Sequence, residues 1–195
     1  MTTAKKAAYT RMDQSTPEGW AAGISYREQN LKQLPDSVMA MLKQLRDKES
    51  GESMNGYDHS LQTATRAYED DADDETIFIA LLHDIGQVVS EENHSEVAAA
   101  ILRPYISDRS HWIVKHHGIF QGYYFWHHMG KDRNARDAYR ESPYFDACVQ
   151  WCDKYDQRAF DPNYPTKPLE FFEPIVRRIF GQKPWPAQGP VPAKA

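Results

Sequence analysis

Eight histidines lie along this 195-residue chain, at positions 59, 83, 94, 111, 116, 117, 127 and 128. One stands in a distinctive context: His83-Asp84 follows the apolar run Ile77 to Leu82 and precedes Ile85-Gly86. An apolar helix that carries two ionisable groups inward must satisfy them, because charge buried without a partner is costly. A metal ion does this, and so does a salt bridge or a hydrogen-bond network. Imidazole and carboxylate together suit zinc, iron, manganese and related ions, and helical proteins assemble such sites from side chains on several helices. A helical His taken alone is more often a surface or core residue, so the context carries the reading.

Set in order, these residues resemble a known pattern. LLHDIG, residues 81–86, resembles the signature of the HD-domain superfamily, and His59 in YDHSLQTA is similar to that family's upstream helical His. His94 in HSEVAA resembles its H-x-x-V-[GA]-A element, His117 in KHHG the following ligand, and Asp156 in DKYDQ the final carboxylate. The resemblance spans residues 49–180. It implies an all-α, single-domain helical bundle with two adjacent ions. His59, His83 and Asp156 would hold the first, His94 and His117 the second, and Asp84 would bridge them. A bridging carboxylate lets two cations sit about 3.5–4 Å apart. His116 is the rival to His117, since neighbours on a helix point about 100° apart. Asp153 rivals Asp156, and the Tyr155-Asp156 pair matches the family better.

Many members of that superfamily are phosphohydrolases. A smaller branch, typified by myo-inositol oxygenase and the aminohydroxyethylphosphonate oxygenases, holds mixed-valent di-iron enzymes. Gln62, three places after His59, resembles the second branch, as does the Gly51-Glu52 pair upstream. FFEPIVRRIF is similar to its closing helix, and the stretch from WHHMGKD to DKYD resembles the inositol enzyme. The branch implies two Fe ions, O2 and a small hydroxylated substrate, with a C–C or C–P bond cleaved. In it Glu52 would contact substrate near the entrance, and Gln62 would act from behind the ligands. Gln87 stands where the phosphonate oxygenases have His and the inositol enzyme Lys; it can neither carry charge nor shuttle a proton. A tyrosine of the phosphonate enzymes falls near Glu49 here, and their cationic anchor falls at Gln121. The alternative is a phosphohydrolase using Mn, Co, Zn or Mg on a nucleotide or phosphoester. A third reading is a metal-stabilised sensor without turnover.

The elements that must position these side chains read as helices. Val38, Met41, Leu42 and Leu45 repeat at i, i+3, i+4, i+7, which predicts an amphipathic helix over 36–48. Helices follow at 57–69, 73–83 and 94–102, the last halted by Pro104. Another begins at Ser107 or Asp108 and ends at His117–Gly118. Residues 118–130 read as irregular, and helices return at 142–157 and 169–180. The acidic cluster Asp70, Asp71, Asp73, Asp74, Glu75 solvates a linker and favours a helix start. No strand pattern or internal repeat is visible. The organisation is a polar arm at 1–20, an HD domain at 21–182 and a Pro-rich tail at 183–195.

Tyr123 to Trp126 reads as rings capping the core beneath a loop, with a cage for a quaternary ammonium group as the alternative. His127 and His128 read as solvent-facing, and Lys131, Arg133, Arg136 and Arg140 as a solvated face. One of these, or Lys115 or Arg158, would be the counter-charge for an anionic substrate group. Cys148 and Cys152, four apart, read as core rather than a disulfide. The net charge of −5, from 23 basic and 28 acidic residues, gives no support to a nucleic-acid or membrane partner. The first twenty residues are polar without an apolar h-region, so no secretory signal is expected and the cytoplasm is the expected location.

Overall fold

A computed structural model describes residues 8–48 and 51–184. The expectations placed on residues 1–7, on Glu49 and on most of the 183–195 tail lie outside the described residues. Those residues form seven α-helices joined by one-turn 3-10 segments, with no strand among them. The helices are α1 (Pro17–Gln44), α2 (Gly56–Glu69), α3 (Asp74–Leu82), α4 (His94–Leu102), α5 (Asp108–Phe125), α6 (Phe145–Lys154) and α7 (Leu169–Phe180).

The hub is α3. Every residue from Thr76 to Leu82 is buried, and a helix apolar on all sides belongs inside a protein. It packs against α2, α5 and α7, with Leu42, Leu45, Ile85, Leu102, Ile113, Phe120 and Phe172 filling the surrounding core. The acidic cluster serves specific purposes. Asp73 caps α3 by accepting the Thr76 N–H at 2.7 Å, and Glu75 accepts the Ser107 hydroxyl that stands at the head of α5. Asp74 pairs with Arg178 of α7. Asp70 accepts from both Lys154 and the Tyr155 hydroxyl at 2.7 Å each, which clamps the residues just ahead of Asp156.

Two helices differ from expectation. The helix predicted over 36–48 begins at Pro17, where Thr16 caps it through the Gly19 N–H, and runs through Pro35 to Gln44. Its first half starts inside the stretch read as an arm and extends beyond it, and the described side chains there are almost wholly exposed. Apolar periodicity records burial, so a helix nothing covers leaves none. Secondly, α5 does not stop at Gly118 but continues through the stretch read as irregular to Phe125. Its glycines mark close approach rather than termination. A Cβ at Gly118 would sit 3.0 Å from the Ser95 hydroxyl, and one at Gly122 would collide with the Trp126 indole. At the other end of the site, α6 stops at Lys154 and a separate turn, Asp156–Arg158, follows. That break at Tyr155 turns Asp156 inward.

Candidate metal centre

The six side chains singled out above meet at one place. His59 comes from α2, His83 from the C-terminal cap of α3, and Asp84 from the turn beyond it. His94 opens α4, His117 lies in α5, and Asp156 starts the turn after α6. His59 Nε2 stands 3.2 Å from His83 Nε2 and 3.2 Å from Asp156 Oδ1. Asp84 lies between two pairs of imidazoles. Its Oδ2 faces His83 Nε2 at 3.4 Å and His59 Nε2 at 3.7 Å. Its Oδ1 faces His117 Nε2 at 3.2 Å and His94 Nε2 at 3.4 Å. Two buried trios, His59/His83/Asp156 and His83/Asp84/His117, each gather their donor atoms within 4.8 Å.

All four rings are held the same way. Nδ1 lies against a backbone carbonyl: Ala159 for His59 at 2.9 Å, Ala80 for His83 at 2.9 Å, Glu91 for His94 at 2.8 Å and Val114 for His117 at 2.7 Å. A carbonyl only accepts, so each Nδ1 carries a proton and each Nε2 presents its lone pair inward. Two such lone pairs at 3.2 Å repel unless a cation or a proton sits among them. Asp156 is 2% exposed, and its Oδ2 has no hydrogen-bond partner. A buried oxygen left bare is expensive and marks a place for a cation. The nitrogen and oxygen donors fit iron, zinc or manganese.

Without metal, protons take that place. Burial opposes charging His59, yet its hydrogen bond to Asp156 and the charges of Asp156 and Asp84 push it up to about 9. His117, likewise disfavoured by burial, is raised through Asp84. Burial drives His83 down to about 4 against the pull of the two carboxylates. Burial would raise Asp84, but His83, His117 and His59 hold it well below the usual carboxylate range. Asp156 is lowered in the same way, against burial, chiefly through His59.

The rival positions fall elsewhere. His116 stacks on Trp112 with ring centroids 4.1 Å apart and bonds its carbonyl. Asp153 lies at the surface, accepting from the Tyr124 hydroxyl at 3.3 Å. His127 and His128 are exposed beside each other, and Cys148 and Cys152 are buried free thiols under α5. The three further residues drawn from the resemblance take distinct places. Glu52 and Gln87 line a cleft of about 910 Å³ above the cluster. Partial burial raises the Glu52 carboxyl, with His59 opposing and Asp84, Asp156 and Glu91 adding to the rise. Gln62 is buried behind the cluster, outside the cleft lining. Its amide donates to the Asp161 carbonyl at 2.8 Å and accepts the Asp161 N–H at 3.2 Å. It therefore braces the turn whose Ala159 carbonyl orients His59.

Further side chains complete the site. Gln121 donates to Asp156 Oδ1 at 3.1 Å; standing four residues after His117, it shares that helix face, a signal present in the spacing. Phe160 stacks on His59 with centroids 4.5 Å apart. Tyr124, Phe125 and Trp126, read as core caps with a ligand-binding wall as the alternative, line the cleft. A Cβ at Gly86 would collide with the His94 carbonyl, so a glycine there lets the first turn of α4 close on the floor.

Buried imidazoles and carboxylates, collected from separate elements of an all-helical fold, define a helical His/Asp site compatible with metal. The family model described as HD domain matches residues 56–158, more than half of the chain, and the protein belongs to that family. No curated protein matches the sequence. Among the described residues no helix is long and apolar enough to cross a membrane.

Proposed function

We propose that this protein is a dinuclear metalloenzyme, a di-iron oxygenase that oxidatively cleaves a C–C or C–P bond of a small hydroxylated substrate. The observation that carries the dinuclear reading is the division of Asp84, with one oxygen toward His59 and His83 and the other toward His94 and His117. His59, His83 and Asp156 would hold one ion, His94 and His117 the other, and Asp84 both. The bound pair supplies Lewis acidity for a substrate hydroxyl and electrons for reducing O2. The chain's own residues do the rest. Backbone carbonyls fix each ring, Trp151 packs edge-on against His83 with centroids 5.4 Å apart, and Phe160 shields His59 from water. Of the six side chains, His94 is the one that reaches solvent, at 22% side-chain exposure against 9% or less for the others. The cleft thus opens on the side of His94.

Oxidation rather than phosphoester hydrolysis is supported by the resemblance at Gln62 and by the cleft wall, which among the described residues carries no arginine. Guanidinium groups are the usual partners of phosphate. Anaerobic reconstitution with Fe, followed by EPR and oxygen-uptake measurements, tests the reading. A mixed-valent signal with O2 consumption supports it. Phosphate release with Mn, Co or Mg and no dependence on O2 assigns the hydrolase instead.

Two substitutions probe the supports. Gln62→Ala removes both braces on Asp161, and metal affinity should fall roughly 10- to 100-fold, as for other partners that orient ligands. Calorimetric titration checks this; an unchanged affinity would show that His59 needs no such brace. Gly86→Ala should cost about 3 kcal/mol, the upper range for overpacking, and displace His94. Thermal denaturation should show a Tm lower by about 6–12 °C, and a Tm equal to wild type would contradict the packing argument.

A further inference from the structure

The cleft has an electrostatic direction. Its floor is buried: His59, His117, Asp84 and Asp156. Its rim is exposed, and the charged side chains there are Glu52, Glu91, Glu92 and Lys48. Lys48 is the one lysine or arginine among the described lining residues, and it is already engaged. Its ammonium donates to the Gln87 carbonyl and pairs with Glu91 at 3.4 Å. The basic residues that the sequence offered as counter-charge for an anion are not in the lining. Lys115 pairs with Glu96 and Arg158 with Asp153, each at 3.7 Å. Arg136 and Arg133 instead stack on Tyr123, at 3.6 and 4.2 Å from its centroid.

An anionic group at this rim would meet carboxylates and no unengaged cation. The wall beside it is aromatic: Tyr124, Phe125, Trp126 and Phe160, with Phe125 43% exposed. Aromatic faces and carboxylates in a partly shielded cleft both attract organic cations. We infer that the cleft takes a hydroxylated organic cation, its hydroxyl at the His/Asp floor and its protonated or quaternary amine at the acidic, aromatic rim. The hydroxyl end rests on the proposed metal centre, whereas the amine end rests on the rim alone. Two metal cations held by the floor residues would reinforce the orientation, attracting the oxygen and repelling the amine.

The test uses the full-length, metal-reconstituted protein and four probes in calorimetric titrations at low salt: choline, its neutral carbon isostere 3,3-dimethylbutan-1-ol, tetramethylammonium and inorganic phosphate. Choline should bind about tenfold or more tighter than the isostere. That gap should shrink below about threefold in the double variant Glu91→Gln/Glu92→Gln and on adding salt, which screens exposed charge. Both glutamates are exposed, so a thermal melt confirming that the variant is folded makes the comparison valid. Equal binding of choline and its isostere, or phosphate binding tighter than choline, would overturn the inference. Tetramethylammonium reports separately on the floor. If it matches choline, the hydroxyl has no metal anchor, and the metal-centre reading fails while the charge preference stands. If it binds more weakly than choline, and the difference vanishes on chelation, both ends are assigned.

Discussion

Asp84→Ala is expected to bind at most one metal ion per chain, against two expected for the wild type, and to lose activity by more than about 100-fold. Asp84 is the only one of the six residues whose two oxygens face different pairs of imidazoles. Removing it takes one ligand from each ion and also the negative charge that lets two cations sit close together. Residues that merely orient ligands cost 10- to 100-fold when removed, so a shared ligand belongs at or beyond the upper end. Asp84→Asn separates charge from shape, since it keeps the volume and one oxygen. Its expected stoichiometry is also below two. Elemental analysis of purified protein gives the answer, and two ions per chain in Asp84→Ala would remove the bridge from the account.

Stripping the metal should lower Tm by about 10 °C. A ligand present at a thousand times its Kd stabilises by about 4 kcal/mol, and a chain of this size shifts by about 2–4 °C per kcal/mol. The size of that difference should depend on pH in a defined direction. In the metal-free chain His59 is raised to about 9, so its contribution to stability is complete below its ordinary value near 6.5 and is lost as pH rises through 9. His83, lowered to about 4, contributes above 6.5 and ceases to as pH falls toward 4. Metal must displace the protons on His59 and His117, so its apparent affinity rises with pH and binding releases protons. The Tm gap between loaded and stripped protein should therefore widen from pH 6.5 to pH 9. Thermal melts with and without chelator across that range check it; a gap that narrows would mean these histidines are not displaced by metal.

Much of this arrangement was legible in the chain. The apolar run ending in His83-Asp84 announced a helix that buries ionisable groups, and α3 is that helix. The spacing of His59, His94, His117 and Asp156, through a family resemblance, named side chains that the fold gathers. The first half of α1 was illegible because nothing among the described residues covers it, and an uncovered helix writes no periodic pattern. The length of α5 was misjudged because Gly118 and Gly122 serve close contacts with Ser95 and Trp126 rather than a helix end. The supports of the site were hidden for another reason. The Ala159 carbonyl that fixes His59 and the Asp161 backbone held by Gln62 lie 100 and 99 residues from their partners. A backbone atom carries no residue-specific signature, so no local pattern points to such a contact. Tyr124 to Trp126 looked the same as core caps or as a cleft wall, because aromatic rings serve both.

The most direct test of the paired centre is an anomalous-diffraction map of crystals reconstituted with iron without oxygen. The account predicts two iron peaks per chain, one beside His59, His83 and Asp156, the other beside His94 and His117, with the Asp84 carboxylate between them. A single peak, or peaks away from these six side chains, would contradict it.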